Sequence, residues 1–257
     1  MNSFQEFKIL HTHKVPLHIG NVWDANSAIM LENRGYKAIG TSSAAIAASL
    51  GYEDGEQISF DELFHVIKTI KDKTSLQLTV DLEAGYSRDP NKICKNIISL
   101  NELGVVGVNL EDSIVIRGNR QIVDGNEFSE TIRFIKNHLV KKRIEVFLNI
   151  RTDFYIMDLE NALKETMNRS KLYEKSGADG VFVPCLTDEK DIKKIVENTS
   201  IPVNVMAVPN LPIFSKLQQL GVKRVSSGPF FYNTVNKYFS DMLEAIDAHQ
   251  SFSPVFE

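Results

Sequence analysis

The chain has 257 residues, 43% of them hydrophobic and 24% charged, with a formal net charge of −4. That length suits one α/β barrel or two smaller domains, and that balance is enough to bury a sizeable core. Acids and bases are interspersed, so no basic stripe points to nucleic acid, and no apolar run approaches the roughly twenty residues that cross a bilayer.

The opening Met1-Asn2-Ser3-Phe4-Gln5-Glu6 lacks the charged and apolar regions of a signal peptide. Two cysteines, Cys94 and Cys185, do not make a disulfide framework, so a reducing cytoplasm fits best. Residues 1–16 read as a helical lead-in, with His11 and His13 expected in a solvated segment. Leu17 to Trp23 is a first strand, followed by Asp24, and Asn26 to Arg34 has helical spacing closed by Gly35. Ala38 to Ser43 is a second strand ending in hydroxyls. Its small residues would let backbone N–H groups approach an anion, although Ser and Thr there also simply begin loops.

Ala44 to Leu50 is small and apolar, and Gly51 to Glu56 is a polar loop. Ser59 with Glu62 forms a capping box before a helix through Lys71. Leu76, Leu78 and Val80 lead a third strand to Asp81 and Glu83. Pro90 then starts a helix that Gly104 closes, and Val105 to Leu110 is a fourth strand running into Glu111 and Asp112. Ser113 to Asn126 reads as a polar loop, Glu127 to Val140 as a helix, and Val146 to Arg151 as a fifth strand. A long helix from Asp158 to Ser176 precedes a sixth strand, Gly180 to Pro184, and a helix from Asp188 to Glu197. Pro202 to Ala207 and Val222 to Gly228 are the last strands, with a helix from Pro212 to Leu220 between them and a closing helix over residues 230–248. Eight alternations without a linker predict a single (β/α)₈ barrel over residues 1–257, its chemistry at the C-terminal ends of the strands.

Those strand ends carry Trp23, Asp24, Ser42, Ser43, Asp81, Glu83, Glu111, Arg151 and Asn204. Asp81 and Glu83 are two residues apart, so in a strand both point to one face. Buried acids need something to offset their desolvation, and a divalent cation with hard oxygen ligands would do so. The same pattern also fits acids that cap the following helices or pair with arginines. Arg151 suits a substrate carboxylate or phosphonate, and equally a structural partnership with Asp153 or Glu111. Cys185 reads as a structural thiol, because no cation or base stands near it in sequence, and Cys94 as core, in a helix beside Ile93 and Ile97.

Several stretches carry a resemblance: Val22-Trp23-Asp24-Ala25, Thr41-Ser42-Ser43-Ala44, Ala48 to Gly55, Asp81-Leu82-Glu83-Ala84-Gly85-Tyr86, Asn109-Leu110-Glu111-Asp112, Arg151-Thr152-Asp153, Gly177 to Gly180 and Arg224-Val225-Ser226. Over about Val22 to Gly228 the chain resembles the isocitrate lyase/phosphoenolpyruvate mutase superfamily, and more closely its short bacterial members. The resemblance implies Mg²⁺, with Mn²⁺ as a substitute, at Asp81, directly or through water, with Glu83 and Glu111 ordering its shell and Asp54 near its waters. It implies Ser42, Ser43 and Ala44 on the substrate carboxylate, Arg151 on the oxyanion, and Asn204 on the far side. Family members act through enolate forms of 2-oxo acids, cleaving C–C bonds or making, moving or breaking P–C bonds. They form tetramers through C-terminal helices, and the aromatic residues of 230–248 fit a homotetramer here.

Departures stand beside these matches. The lyases carry a Lys-Lys-Cys-Gly-His loop after strand four; here it reads Ser113 to Arg120, with neither Cys nor His, and Asn119 is a stand-in for the mutases' asparagine. The strand-six Glu or His of the known branches is Pro184. The expected activity is therefore that of a lyase or decarboxylase of a small 2-oxo or 2-hydroxy carboxylate. Phosphonopyruvate hydrolysis or mutation, and a barrel that only binds a metabolite, are the alternatives. Arg117, Gly118, Asn119 and Arg120 are expected to form a gate, with Gly118 and Gly125 as hinges.

Overall fold

The computed structural model describes residues 2–256. In chain order it contains α1 (Ser3–Leu10), β1 (Leu17–Val22), α2 (Ala25–Asn33), β2 (Ala38–Thr41), α3 (Ser43–Ser49), α4 (Phe60–Lys71), β3 (Gln77–Asp81), α5 (Pro90–Glu102) and β4 (Val105–Glu111). There follow β5 (Ser113–Ile116), β6 (Asn119–Ile122), α6 (Gly125–Lys141), β7 (Phe147–Arg151), α7 (Ala162–Lys175), β8 (Gly180–Val183) and α8 (Glu189–Asn198). The chain ends with β9 (Val203–Met206), α9 (Phe214–Leu220), β10 (Arg224–Ser226), α10 (Phe230–His249) and a 3₁₀ turn, Ser253–Phe256. Strands β1, β2, β3, β4, β7, β8, β9 and β10 pair in parallel and close, β10 against β1, into the expected eight-stranded barrel.

Alternation along each strand explains the two cores. Leu78 and Val80 of β3 turn outward with Val108 and Leu110 of β4, and a register shift between the two strands lets Val105 join them against the helices. Val181, Val183, Val203, Val205 and Val225 do the same against α8 and α9. Inward-facing residues fill the barrel. At its N-terminal end α1 acts as a plug, its Phe7 packing with Leu17, Ile19, Ala38, Val106 and Phe147. His11 belongs to this plug, contrary to the solvated segment expected for it. It is 2% exposed, stacks on Phe147 at 4.5 Å and shares a 2.9 Å hydrogen bond with the Phe7 carbonyl. His13 is exposed as expected.

Local chemistry sets the helix ends. Asp24 with Ser27 and Ser59 with Glu62 form capping boxes, and Pro90 opens α5 behind an Asp89 cap. The small apolar stretch after the second strand is a helix, α3, capped by Ser42. The long helix expected from Asp158 begins only at Ala162, because Asp158 and Asn161 hold left-handed backbone with φ of 49° and 59°.

The stretch read as a polar loop is instead a β-hairpin, β5 against β6. Its two-residue turn is Arg117-Gly118, both at positive φ (51° and 77°), the geometry whose twist matches a hairpin. Gly118 is therefore a turn tip and Gly125 the first residue of α6, so neither stands as a loop hinge. Among the described residues no helix is long and apolar enough to cross a membrane.

Candidate active site

Asp81, Glu111 and Arg151 end β3, β4 and β7, and register places Glu111 beside Arg151 and Asp81 beside Asn109, so all three stand on the C-terminal rim. Glu83 arrives differently from its expected place on a strand face. The strand stops at Asp81, and Glu83 holds left-handed backbone at φ 47°. Its position comes from partners: Glu56 N–H donates to Oε2 at 2.7 Å and the Tyr86 hydroxyl to Oε1 at 3.0 Å.

Ser43 Oγ donates to Asp81 at 2.9 Å and lies 3.3 Å from Asp54, while Thr41 Oγ1 accepts from the Asp81 N–H. Ser42 has its hydroxyl occupied as the α3 cap, accepting from Ala45 N–H at 3.3 Å, and Ala44 lies in the first turn of the same helix. Trp23, half-buried at the end of β1, meets Tyr232 of α10 edge to face. Arg151 is held by Asp153 through Nε and Nη2, and its Nη1 lies 3.1 Å from Glu111. Both structural pairings open to Arg151 in the sequence are thus present, and they aim the guanidinium along the rim.

The hairpin supplies one side chain to this set. Arg120 Nη1 donates to Glu111, to Ser113 Oγ at 2.7 Å and to Asp153 at 3.0 Å, and its Nη2 lies 3.4 Å from Asp54. Arg117 and Gly118 are at the exposed tip, and the Asn119 amide turns back to the Arg117 carbonyl, so it is not a stand-in over the site. Val115 seats the hairpin on the loop that bears Asp54. A Cβ on Gly55 would come within 2.8 Å of it, at a φ of +104° that already disfavours a side chain.

Asn204 does not face the open rim. It is buried beneath, its Nδ2 donating to the Val205 carbonyl at 2.7 Å and its Oδ1 accepting from Asn149. Asn204, expected on the far side of the substrate, instead joins Asn109 and Asn149, to which the sequence assigned no role, in a polar floor. The signal was present, since Asn109 and Asn149 each stand two residues before a rim group, Glu111 or Arg151, on the same inward face. Asp112, next to Glu111, belongs to the scaffold, bonded to Tyr173 at 2.7 Å and to Arg169 at 3.0 Å. Cys94 is buried in α5, and Cys185 is half-buried just past β8.

Burial dominates the proton affinities at the rim. It pushes Glu83 up to about 8, helped by the charges of Asp54, Glu111 and Asp81. Glu111 rises to about 7, burial outweighing Arg151. Asp81 is raised by burial, with Arg151 and Ser43 opposing. Burial also acts to raise Asp153, but Arg151, Ser113 and Arg120 outweigh it and hold this carboxyl below the usual range.

Among the described residues no three His, Cys, Asp or Glu side chains converge tightly enough to enclose a bare ion. The donor set nevertheless fits Mg²⁺, which keeps several waters and takes only one or two carboxylates directly. All the donors are hard oxygens, and the raised Asp81, Glu83 and Glu111 are carboxylates whose ionised forms call for more positive charge than two arginines bring.

Comparison with known proteins identifies the family. The family model for phosphoenolpyruvate phosphomutase matches residues 7–247. A solved Burkholderia cenocepacia protein provisionally described as a phosphonomutase superposes with a TM-score of 0.88 at 33% identity, covering 94% of this chain and 99% of that one. Oxaloacetate decarboxylase of Pseudomonas entomophila is 28% identical over 88% of this chain and 78% of its own length. For 2-methylisocitrate lyase of Escherichia coli the identity is 26%, over 81% of this chain and 72% of its own. The family match spans nearly the whole barrel, and the chain belongs to the phosphoenolpyruvate mutase/isocitrate lyase superfamily of lyases and mutases.

Proposed function

We propose that this enzyme is a Mg²⁺-dependent lyase or decarboxylase of a small 2-oxo or 2-hydroxy carboxylate, working through an enolate. The carrying observation is Arg151, locked by Asp153 and Glu111 where its charge acts on the Asp81 carboxylate. Asp81 would hold the metal, with Glu83, Glu111 and Asp54 ordering its waters. When bound, the metal supplies a Lewis acid for the substrate's 2-oxo and carboxylate oxygens. Arg151 then faces the oxygen on which charge develops, and a guanidinium already fixed there needs no reorganisation as the charge appears. Ser43 and Ala44, at the start of α3, would receive the substrate carboxylate, with Trp23 walling the pocket.

Decarboxylation asks least of the groups this chain has. The bond to the departing carboxylate breaks, its electron pair enters the 2-oxo system as an enolate, and a proton from water completes the product. No dedicated base is required, which suits a chain with Pro184 at the end of β8 and a hairpin free of Cys and His. The hairpin would act as the gate, with Arg120 as its working residue, keeping bulk water from the enolate.

A P–C bond reaction is the second reading, favoured by the 33% identity to the protein described as a phosphonomutase. A panel of oxaloacetate, 2-methylisocitrate, 2,3-dimethylmalate and phosphonopyruvate, with Mg²⁺ and with EDTA, tests both. Metal-dependent release of pyruvate from oxaloacetate or a methylated diacid supports the first, and turnover of phosphonopyruvate alone selects the second. Binding without turnover of any would leave a metabolite-binding barrel.

A homotetramer is proposed as well. None of α10 is buried, and Tyr238 (70% exposed), Phe239 and Leu243 present an apolar face. A monomeric mass by light scattering at micromolar concentration would refute it.

A further inference from the structure

Arg224 lies inside the barrel, 1% exposed, and its Nε and Nη1 have no hydrogen-bond partner among the described residues. Its side-chain contact there is Nη2 donating to Asn109 Oδ1 at 3.4 Å, with no carboxylate paired to it. A guanidinium shut away from water without a counter-charge is costly, and burial pulls this one down to about 9 against the opposing charge of Asp81. Local rules broken at such cost are expected where function requires it.

What surrounds Arg224 is a closed circuit. Its backbone carbonyl accepts from Asn204 Nδ2 at 3.3 Å, and Asn204 Oδ1 accepts from Asn149 Nδ2 at 3.1 Å. The same Asn149 Nδ2 donates to Asn109 Oδ1 at 2.8 Å, the oxygen that Arg224 Nη2 also reaches. Four strands, β4, β7, β9 and β10, are joined across the barrel in this way. With two donors on its oxygen, the Asn109 amide has one orientation, Nδ2 toward Asp81 Oδ1 at 3.4 Å. Turned over, it would set its oxygen against the carboxylate.

We propose that Arg224 is a positioning residue for the metal-binding carboxylate: its guanidinium, together with Asn149 on the same oxygen, fixes the Asn109 amide as a donor to Asp81 and holds that carboxylate ready for a divalent cation. The inference rests on the reading of Asp81 as a metal ligand. The charge of Arg224 works in two directions, favouring ionised Asp81 while repelling a cation above it, so the amide orientation decides the sign.

Binding of Mn²⁺ alone, followed by loss of the free-ion electron paramagnetic resonance signal, tests this without substrate. Arg224→Met and Asn109→Leu should each weaken Mn²⁺ about tenfold or more, as loss of groups that orient a metal ligand does. The double variant should bind no more weakly than Asn109→Leu alone, because Arg224 positions Asp81 only through the Asn109 amide that this change removes. Arg224→Lys, which keeps a cation and a donor, should recover affinity to within a few-fold, and with Asn109→Leu it carries the test if Arg224→Met does not fold. A lowered melting temperature with wild-type Mn²⁺ affinity, or additive losses in the double variant, overturns the proposal. Asp81→Ala separates the two failures. If it binds Mn²⁺ like the wild type, the metal reading falls and takes this inference with it; if only the Arg224 and Asn109 variants bind normally, the inference alone falls.

Discussion

At the N-terminal end of the barrel one ionisable ring, His11, is shut between Phe7 and Phe147 and gives up its charge, pulled down to about 3 by burial and then by Arg224. At the C-terminal rim burial likewise raises Asp81, Glu83 and Glu111, yet Arg120 and Arg151 stand among these acids and hold Asp153 below the usual carboxyl range. Desolvation acts at both ends; the difference is company. A lone group with one backbone partner becomes neutral and serves packing, whereas a cluster of acids with fixed guanidiniums keeps a field that a substrate and a cation can use.

The sharpest way to break this contrast is to remove the rim's central acid. Asp81→Ala is expected to lower metal-dependent turnover by about a thousandfold, the scale of losing a principal electrostatic element. It should also abolish the Mg²⁺-induced rise in melting temperature, since only a ligand that binds the folded state stabilises it. A wild-type thermal response would take Asp81 out of the metal shell.

A smaller effect separates the hairpin's two arginines. Arg120 reaches Glu111, Asp153 and Asp54, while Arg117 forms the exposed tip. Arg120→Ala should reduce turnover about tenfold to a hundredfold through lost positioning, and Arg117→Ala should leave it near wild type. Equal losses in both would mean that the tip, not Arg120, meets the substrate.

The rim's repulsion should also be visible as stability. Glu83 is raised from 4.5 to about 8, so the unfolded chain releases this proton first and metal-free stability falls as pH rises through that window. Glu83→Gln should therefore stabilise the metal-free protein at pH 8 by about 1–2 kcal/mol, discounted for the hydrogen bonds an amide satisfies less well. Chemical denaturation at pH 5 and pH 8 checks it, and a variant equally destabilised at both would show Glu83 to be purely structural.

How much of this was legible in the sequence follows from the range of each interaction. Strand ends with acids announced Asp81 and Glu111, because periodicity and turn residues are local signals. The hairpin was misread because the apolar run Ile114 to Ile116 pairs with a polar strand, Asn119 to Gln121, around a turn whose first residue is arginine rather than the usual Asn or Asp. Glu83 was placed at the site for the wrong local reason, since a left-handed residue ends the strand periodicity that the argument used. Spacing from Glu111 and Arg151 puts Asn109 and Asn149 on the inward face, but their joining with Asn204 into one floor depends on contacts between strands far apart in sequence. His11 failed in the same way: its burial is decided by Phe147, on the opposite side of the chain's course.

That last residue gives the mildest test. The ring's Nδ1 faces the Phe7 carbonyl, which can only accept, so Nδ1 carries the proton and Nε2 is bare. Burial first, and then the nearby charge of Arg224, makes the folded state resist protonation of Nε2. The unfolded chain binds the proton below about 6.5 and the folded chain only near 3, so the stability tied to neutral His11 is complete above pH 6.5 and drains away as pH falls through that window. At pH 5.5 the loss relative to neutral pH is about 1.4 kcal/mol. His11→Phe keeps an aromatic ring against Phe147 and removes the titration. Its stability should start lower, for want of the bond to Phe7, and then fall less steeply than that of the wild type between pH 7 and pH 5.5. Parallel slopes for the two proteins in denaturant titrations would mean that His11 is reached by solvent, and the contrast between a neutral base and a charged rim would no longer hold.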